Sequence, residues 1–200
     1  MDRSQFTDKQ LLARASRLQS QAEALYRSKL LPCFPPECSP VLVGGAATGL
    51  MTKPDIDITI LLEPLSFERL AEIARRFICS AQIGRMTLID LSVIPWHNYH
   101  QGLFCNLRLR SGDELSWNID LWAYAKHDYS TAIAAHQDLA YELSRLDPFL
   151  VLRTKADYPE LEGHEIYEKL LKTKGEKPEL FKHCVFDIPQ FKLACRTHVC

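Results

Sequence analysis

Two aspartates separated by one isoleucine, Asp55-Ile56-Asp57, sit inside an apolar run that continues Ile58-Thr59-Ile60-Leu61-Leu62. If residues 56–62 form a strand, its period-two alternation turns both carboxylates to one face, about 6–7 Å apart along it. Such a pair repels itself, and burying it on a sheet requires a compensating charge. A divalent cation bound by oxygen ligands supplies that charge. Separated from Asp55 by nine residues, the short apolar run Val41-Leu42-Val43 ends in Gly44-Gly45, where a backbone without side chains can approach a phosphate closely. A third acidic residue, Asp120, stands between Ile119 and Leu121 in a later apolar run. Three hard oxygen ligands suit Mg²⁺ held together with substrate phosphates. Two such ions about 3.5–4 Å apart would clamp the attacking and leaving oxygens of an in-line phosphoryl displacement. The plain alternative is a strand end at the surface with both aspartates solvated, and the glycine pair and the separate Ile-Asp-Leu weigh against it. Lys53 has two readings of the same kind, a phosphate contact or a solvated turn lysine.

The elements that must position these residues follow from periodicity and breakers. Apolar residues Leu11, Leu12, Ala15, Leu18, Ala22, Leu25 and Tyr26 recur at three- and four-residue steps and predict a helix over about 5–30. Pro32, Pro35, Pro36 and Pro40 end it. A strand over 41–44, a helical turn over 46–50 and a strand over 56–62 come next, then an amphipathic helix over 66–80 with Ser66 as N-cap. Strands are expected over 86–94, 103–110 and 115–122, with Ser111-Gly112-Asp113 as the hairpin turn that makes the last two antiparallel. Beyond residue 126 the pattern turns helical, over 128–146, 164–174 and a further stretch at 178–186. The apolar piece 149–152 reads as either a strand or a helix start. The fold class is α/β (α+β), a mixed sheet flanked by helices over 1–126 with a helical C-terminal part over 127–200.

Apolar-Gly-Gly, nine residues, Asp-apolar-Asp-apolar and a later apolar-Asp-apolar together resemble the signature of the polymerase-beta-like nucleotidyltransferase superfamily. In this chain the pieces are Val43-Gly44-Gly45, Asp55-Ile56-Asp57-Ile58 and Ile119-Asp120-Leu121. The second glycine stands where that family often has serine. The resemblance covers roughly residues 41–122 and implies a nucleotidyltransferase-type sheet. It further implies Asp55 and Asp57 as ligands of two Mg²⁺ ions, and Asp120 as a third carboxylate that helps deprotonate an acceptor hydroxyl. Gly44 and Gly45 would hold the triphosphate, with Lys53 beside them. Residues 49–58 are also similar to a segment of the GrpB-like proteins, a branch of that superfamily that usually lacks the first aspartate of the pair; this chain keeps it. The expected activity is Mg²⁺-dependent transfer of a nucleoside monophosphate from an NTP, ATP foremost, to a hydroxyl of a small molecule or protein, releasing pyrophosphate. The alternative is a non-catalytic nucleotide-binding or protein-interaction module of the same fold.

Composition bounds the partners. Two hundred residues make one domain, or one with a modest appendage. A net charge of −1 argues against a long nucleic acid as partner. The polar N-terminus carries no apolar signal core, and no apolar run approaches the length of a membrane span, so a cytoplasmic protein with reduced thiols is expected. Cys33 and Cys38 lack a convincing second pair of metal ligands. Trp96, His97, Tyr99 and His100 read as packing residues before they read as a stacking platform. His183, Cys184, Cys195, His198 and Cys200 offer soft ligands for zinc, at spacings that match no familiar finger.

Overall fold

The computed structural model describes residues 7–80, 83–93, 102–111 and 115–173. Helix α1 (Asp8–Leu25) opens on a capping box: Gln10 N–H donates to Thr7 Oγ1 at 3.4 Å, and Thr7 N–H donates to Gln10 Oε1 at 2.8 Å. It buries the expected stripe Leu11, Ala15, Leu18 and Ala22. The chain then widens into a π-helical turn, Tyr26–Leu30, before the prolines break it, so the long N-terminal helix is two helical geometries end to end.

Five strands form one sheet in the order β1-β2-β5-β4-β3. These are β1 (Val41–Val43), β2 (Asp55–Leu61), β3 (Ile83–Asp90), β4 (Gly102–Ser111) and β5 (Leu115–Tyr124), and the short helix α2 (Gly44–Thr48) links the first two. β2 and β5 run parallel, and the other neighbours are antiparallel. β4 and β5 pair as a hairpin, as their alternation predicts, while the turn residues 112–114 lie outside the described residues. β3 starts earlier than its apolar run suggests and also stops earlier, where the Asp90 carboxylate accepts from Ser92 N–H (2.9 Å) and Ser92 Oγ (2.6 Å) and bends the chain.

Alternation gives the sheet two unlike faces. One carries Ile56, Ile58, Ile60, Leu103, Cys105, Leu107, Ile119 and Leu121, all buried in the main core. Helix α3 (Phe67–Ser80) covers that face with Leu70, Ile73, Ala74 and Phe77, and Phe34 meets Phe77 edge-on at 5.2 Å between ring centroids. Ser66 caps α3 as expected, accepting from Arg69 N–H at 3.3 Å.

The helices after β5 form a second cluster at the other face. They are α4 (Lys126–Ser144), α5 (Pro148–Asp157) and α6 (Gly163–Thr173). Phe149 to Leu152 belongs to the first turns of α5, because Asp147 accepts from Phe149 N–H at 2.9 Å and Pro148 occupies the first helical position. Leu139, Leu143, Val151, Leu152 and Leu171 pack there against Leu11 and Ala15, so α1 joins the C-terminal helices to the sheet.

Among the described residues no helix is long and apolar enough to cross a membrane. Cys33, Cys38, Cys79 and Cys105 are free thiols, and Cys33 Sγ lies 3.0 Å from Ser80 Oγ rather than beside Cys38. The loop aromatics Trp96, His97, Tyr99 and His100, the stretch 178–186, and His183, Cys184, Cys195, His198 and Cys200 lie outside the described residues.

Ile58 is fully buried in the main core, while its strand neighbours Asp57 and Thr59 point to the other face of the sheet. Ile58→Ala removes three buried carbons and leaves a cavity, costing about 2–5 kcal/mol. The urea midpoint should fall with little change in slope.

Candidate active site

The second sheet face is best read as rows running across the strands. The register aligns Asp55, Asn118, Arg108 and Arg85 in one row. The next holds Val43, Asp57, Asp120, Asn106 and Thr87. A third holds Val41, Thr59, Trp122, Phe104 and Ile89. The sheet face thus passes from two rows of charged and polar side chains to a mainly apolar third. Phe104 and Trp122, with ring centroids 4.4 Å apart, join Ala132 of α4 in a small apolar cluster that seals the third row.

The carboxylates are held by amides. Asn118 Nδ2 donates to Asp55 Oδ1 at 2.6 Å and to Asp120 Oδ2 at 3.0 Å, lying between the two. Asn106 Nδ2 donates to Asp120 Oδ1 at 2.5 Å and to Asn118 Oδ1 at 2.6 Å. Lys53 Nζ pairs with Asp55 Oδ2 at 3.2 Å. Asp57 faces the glycine turn: at Gly44, φ is +64°, and a Cβ there would fall 2.3 Å from Asp57 Oδ2. Gly44 is therefore required twice, by its left-handed backbone and by the carboxylate pressed against it.

Burial, and then the charges of Asp55 and Asp120, push the Asp57 carboxyl well above the ordinary range. Burial and the Asp55 charge likewise push Asp120 up to about 6, against the pull of the Asn106 and Asn118 amides. From across the cleft, Lys155 of α5 works against the rise of Asp57. Its Nζ donates to Leu50 O at 2.8 Å and to Tyr167 Oη at 3.0 Å, which fastens α5 to α6 and to the chain after α2. His136 of α4 also lines the cleft, and burial holds it down at about 4, a neutral imidazole.

All six residues singled out in the sequence, Gly44, Gly45, Lys53, Asp55, Asp57 and Asp120, line one cleft of about 580 Å³ between the sheet and the C-terminal helices. Among the described residues, no three His, Cys, Asp or Glu side chains are gathered into a ready-made ligand set. The aspartates form an open group with an amide between two of them. Their chemistry nevertheless fits a hard divalent cation: three oxygen ligands, two of them resisting ionisation, lie in one cleft with Lys53 as the ion-pair partner of only the outermost. Asn118, Asn106, Lys155 and His136 escaped the sequence reading. Asn118-Ile119-Asp120 repeats the spacing of Asp55-Ile56-Asp57 and could have been found by it, whereas the others depend on which strands and helices meet.

Two outcomes follow from this electrostatics. Asp57 and Asp120 hold protons more tightly in the folded than in the unfolded chain, so stability falls as pH rises from the ordinary carboxylate range through about 6. At pH about 7.5 without metal, Asp57→Asn should therefore raise the melting temperature, by about 2–4 °C per kcal/mol relieved, and a pH about 5 comparison should shrink the difference. Mg²⁺ should stabilise the wild type and not this variant, which calorimetry checks. Gly44→Ala should do the opposite, lowering the melting temperature through strain and a clash with Asp57 that cost about 1–3 kcal/mol.

Several solved structures resemble this chain. A mutant of the Cid1 poly(U) polymerase bound to MgATP superposes with a TM-score of 0.56 at 14% identity, covering 78% of this chain and 50% of that one. A cytoplasmic RNA terminal U-transferase is similar at a TM-score of 0.41 and 15% identity, over 83% of this chain and 49% of that one. The small alarmone synthetase 1 from Bacillus subtilis, bound to pppGpp, is similar at 0.34 and 7% identity, over 84% and 93%. No protein-family model and no curated protein matches the sequence. The chain spans about half the length of the polymerase it superposes on. A mixed five-stranded sheet flanked by helices superposes on that polymerase, so this chain shares its fold.

Proposed function

We propose that the protein is a Mg²⁺-dependent nucleotidyltransferase that moves a nucleoside monophosphate from an NTP, ATP foremost, to a hydroxyl of a small-molecule or protein acceptor. The observation that carries this reading is the register of two parallel strands, with Asp57 level with Asp120 and Asp55 one row away. The glycine turn ending β1 faces Asp57. Asp55, Asp57 and Asp120 would hold the metal, which when bound would neutralise phosphate charge and polarise the phosphorus under attack.

The chain's own residues account for the rest. The backbone of Gly44 and Gly45, with Lys53, would orient the triphosphate. Asp120 would accept the acceptor's hydroxyl proton as the acceptor oxygen bonds to the α-phosphorus. The bond from that phosphorus to the bridging oxygen then breaks, and pyrophosphate leaves with the electron pair. Asn118 and Asn106 would keep the Asp55 and Asp120 carboxylates oriented between turnovers, because each lone pair they occupy fixes a rotamer. The helices facing the sheet would exclude water from the transfer.

The test is pyrophosphate release from labelled NTPs with Mg²⁺ over a panel of hydroxyl acceptors. Asp57→Asn and Asp120→Asn, folded as judged by their melting curves, should each lower turnover by about 10²-fold or more. Unchanged turnover in both variants would remove them from the site. Tight Mg²⁺-dependent NTP binding with no release over the whole panel would favour the non-catalytic module instead.

A further inference from the structure

The first row of the sheet face ends in two positive charges, Arg108 and Arg85, with no ion pair among the described residues. Arg108 on β4 and Arg85 on β3 are register partners, and both line the cleft that holds the carboxylates. Like charges directly opposite each other on neighbouring strands repel. Among the described residues neither guanidinium has an ion-pair partner, whereas Lys53 in the same cleft pairs with Asp55. The Arg108 charge favours the ionised form of Asp120. An anion seated over both side chains would relieve the repulsion, and the planar guanidinium fork matches a phosphate better than a point charge does.

Strand order says which reactant that anion belongs to. Reading across β1-β2-β5-β4-β3, the cleft presents the glycine turn, then the carboxylates of β2 and β5, then Arg108 and Arg85. In an in-line displacement the attacking and leaving oxygens lie on opposite sides of the transferred phosphorus. A triphosphate over the glycine turn leaves the β4–β3 side to the acceptor. On that basis, and resting on the nucleotidyl-transfer reading, we propose that Arg85 and Arg108 form an acceptor subsite, and that the acceptor is a small molecule carrying a phosphate as well as the reacting hydroxyl. Smallness follows from the space and the charge: about 580 Å³ must also take the nucleotide, only two arginines serve the subsite, and the chain's net charge is −1.

The test is direct binding, independent of turnover. Ribose 5-phosphate and ribose are titrated calorimetrically into the full chain at fixed ionic strength, with Mg²⁺ and a non-hydrolysable ATP analogue present. The phosphate should tighten binding by about tenfold or more. Arg85→Gln and Arg108→Gln should each erase most of that gain, Arg108→Lys should retain part of it, and none should weaken binding of the ATP analogue. Both arginines are exposed, so the variants should keep the wild-type melting temperature. Equal affinity for ribose and its phosphate, or loss of ATP-analogue affinity in the variants, would overturn the subsite. An oligoadenylate that binds far tighter than ribose 5-phosphate, with the steep salt dependence of several phosphate contacts, would overturn the restriction to a small acceptor. Failure of the transfer reading itself would appear separately, as absent pyrophosphate release with phosphate-selective binding intact.

Discussion

The whole arrangement depends on the parallel pairing of β2 with β5. Those strands are more than fifty residues apart in the chain, and their register sets Asp57 beside Asp120 and Asp55 beside Asn118. A slip of β2 by one residue would turn Asp55 and Asp57 into the core and Ile56 and Ile58 into the cleft. The register is therefore held by the apolar face. Ile56, Ile58, Ile60, Ile119 and Leu121 have no accessible surface left, and each contributes about 1.5–3 kcal/mol through burial. The site's geometry is a by-product of core packing on the opposite side of the same strands.

That dependence explains how mutually repelling carboxylates coexist. Asp57 and Asp120 are both pushed toward protonation by burial and by neighbouring negative charge. The main core supplies far more stabilisation than this repulsion removes. Two asparagine amides then tie Asp55 and Asp120 down. These neutral donors orient the oxygens without neutralising them, and only Asp55 has a cationic partner, Lys53.

The helices after β5 complete the cleft from the other side. α5 brings Lys155 to the carbonyl of Leu50 and the hydroxyl of Tyr167, linking it to the segment after α2 and to α6. α1 shares their apolar cluster through Leu11 and Ala15. The first and last described helices thus form one support, and the wall facing the carboxylates is tied to the sheet at both ends of the chain.

Much of this could be read without coordinates, for a local reason. Alternation along β2 placed Asp55 and Asp57 on one face and Ile56 and Ile58 on the other, and a period of two belongs to the backbone itself. Gly44-Gly45 marked a tight turn because few other residues take a positive φ. The caps at Ser66 and Asp147 are likewise short-range, though at 149–152 the apolar run alone left strand and helix undecided until Asp147-Pro148 was seen to open α5. The rows across the sheet were beyond such reading. That Asp120 stands level with Asp57, that Asn106 reaches Asp120, that Arg85 opposes Arg108 and that Lys155 arrives from a distant helix all follow from which strands pair and in what register. By itself the sequence determined the chemistry on offer, three carboxylates and a glycine turn. Only the tertiary structure decided their convergence, because that is set by burial of apolar side chains far apart along the chain.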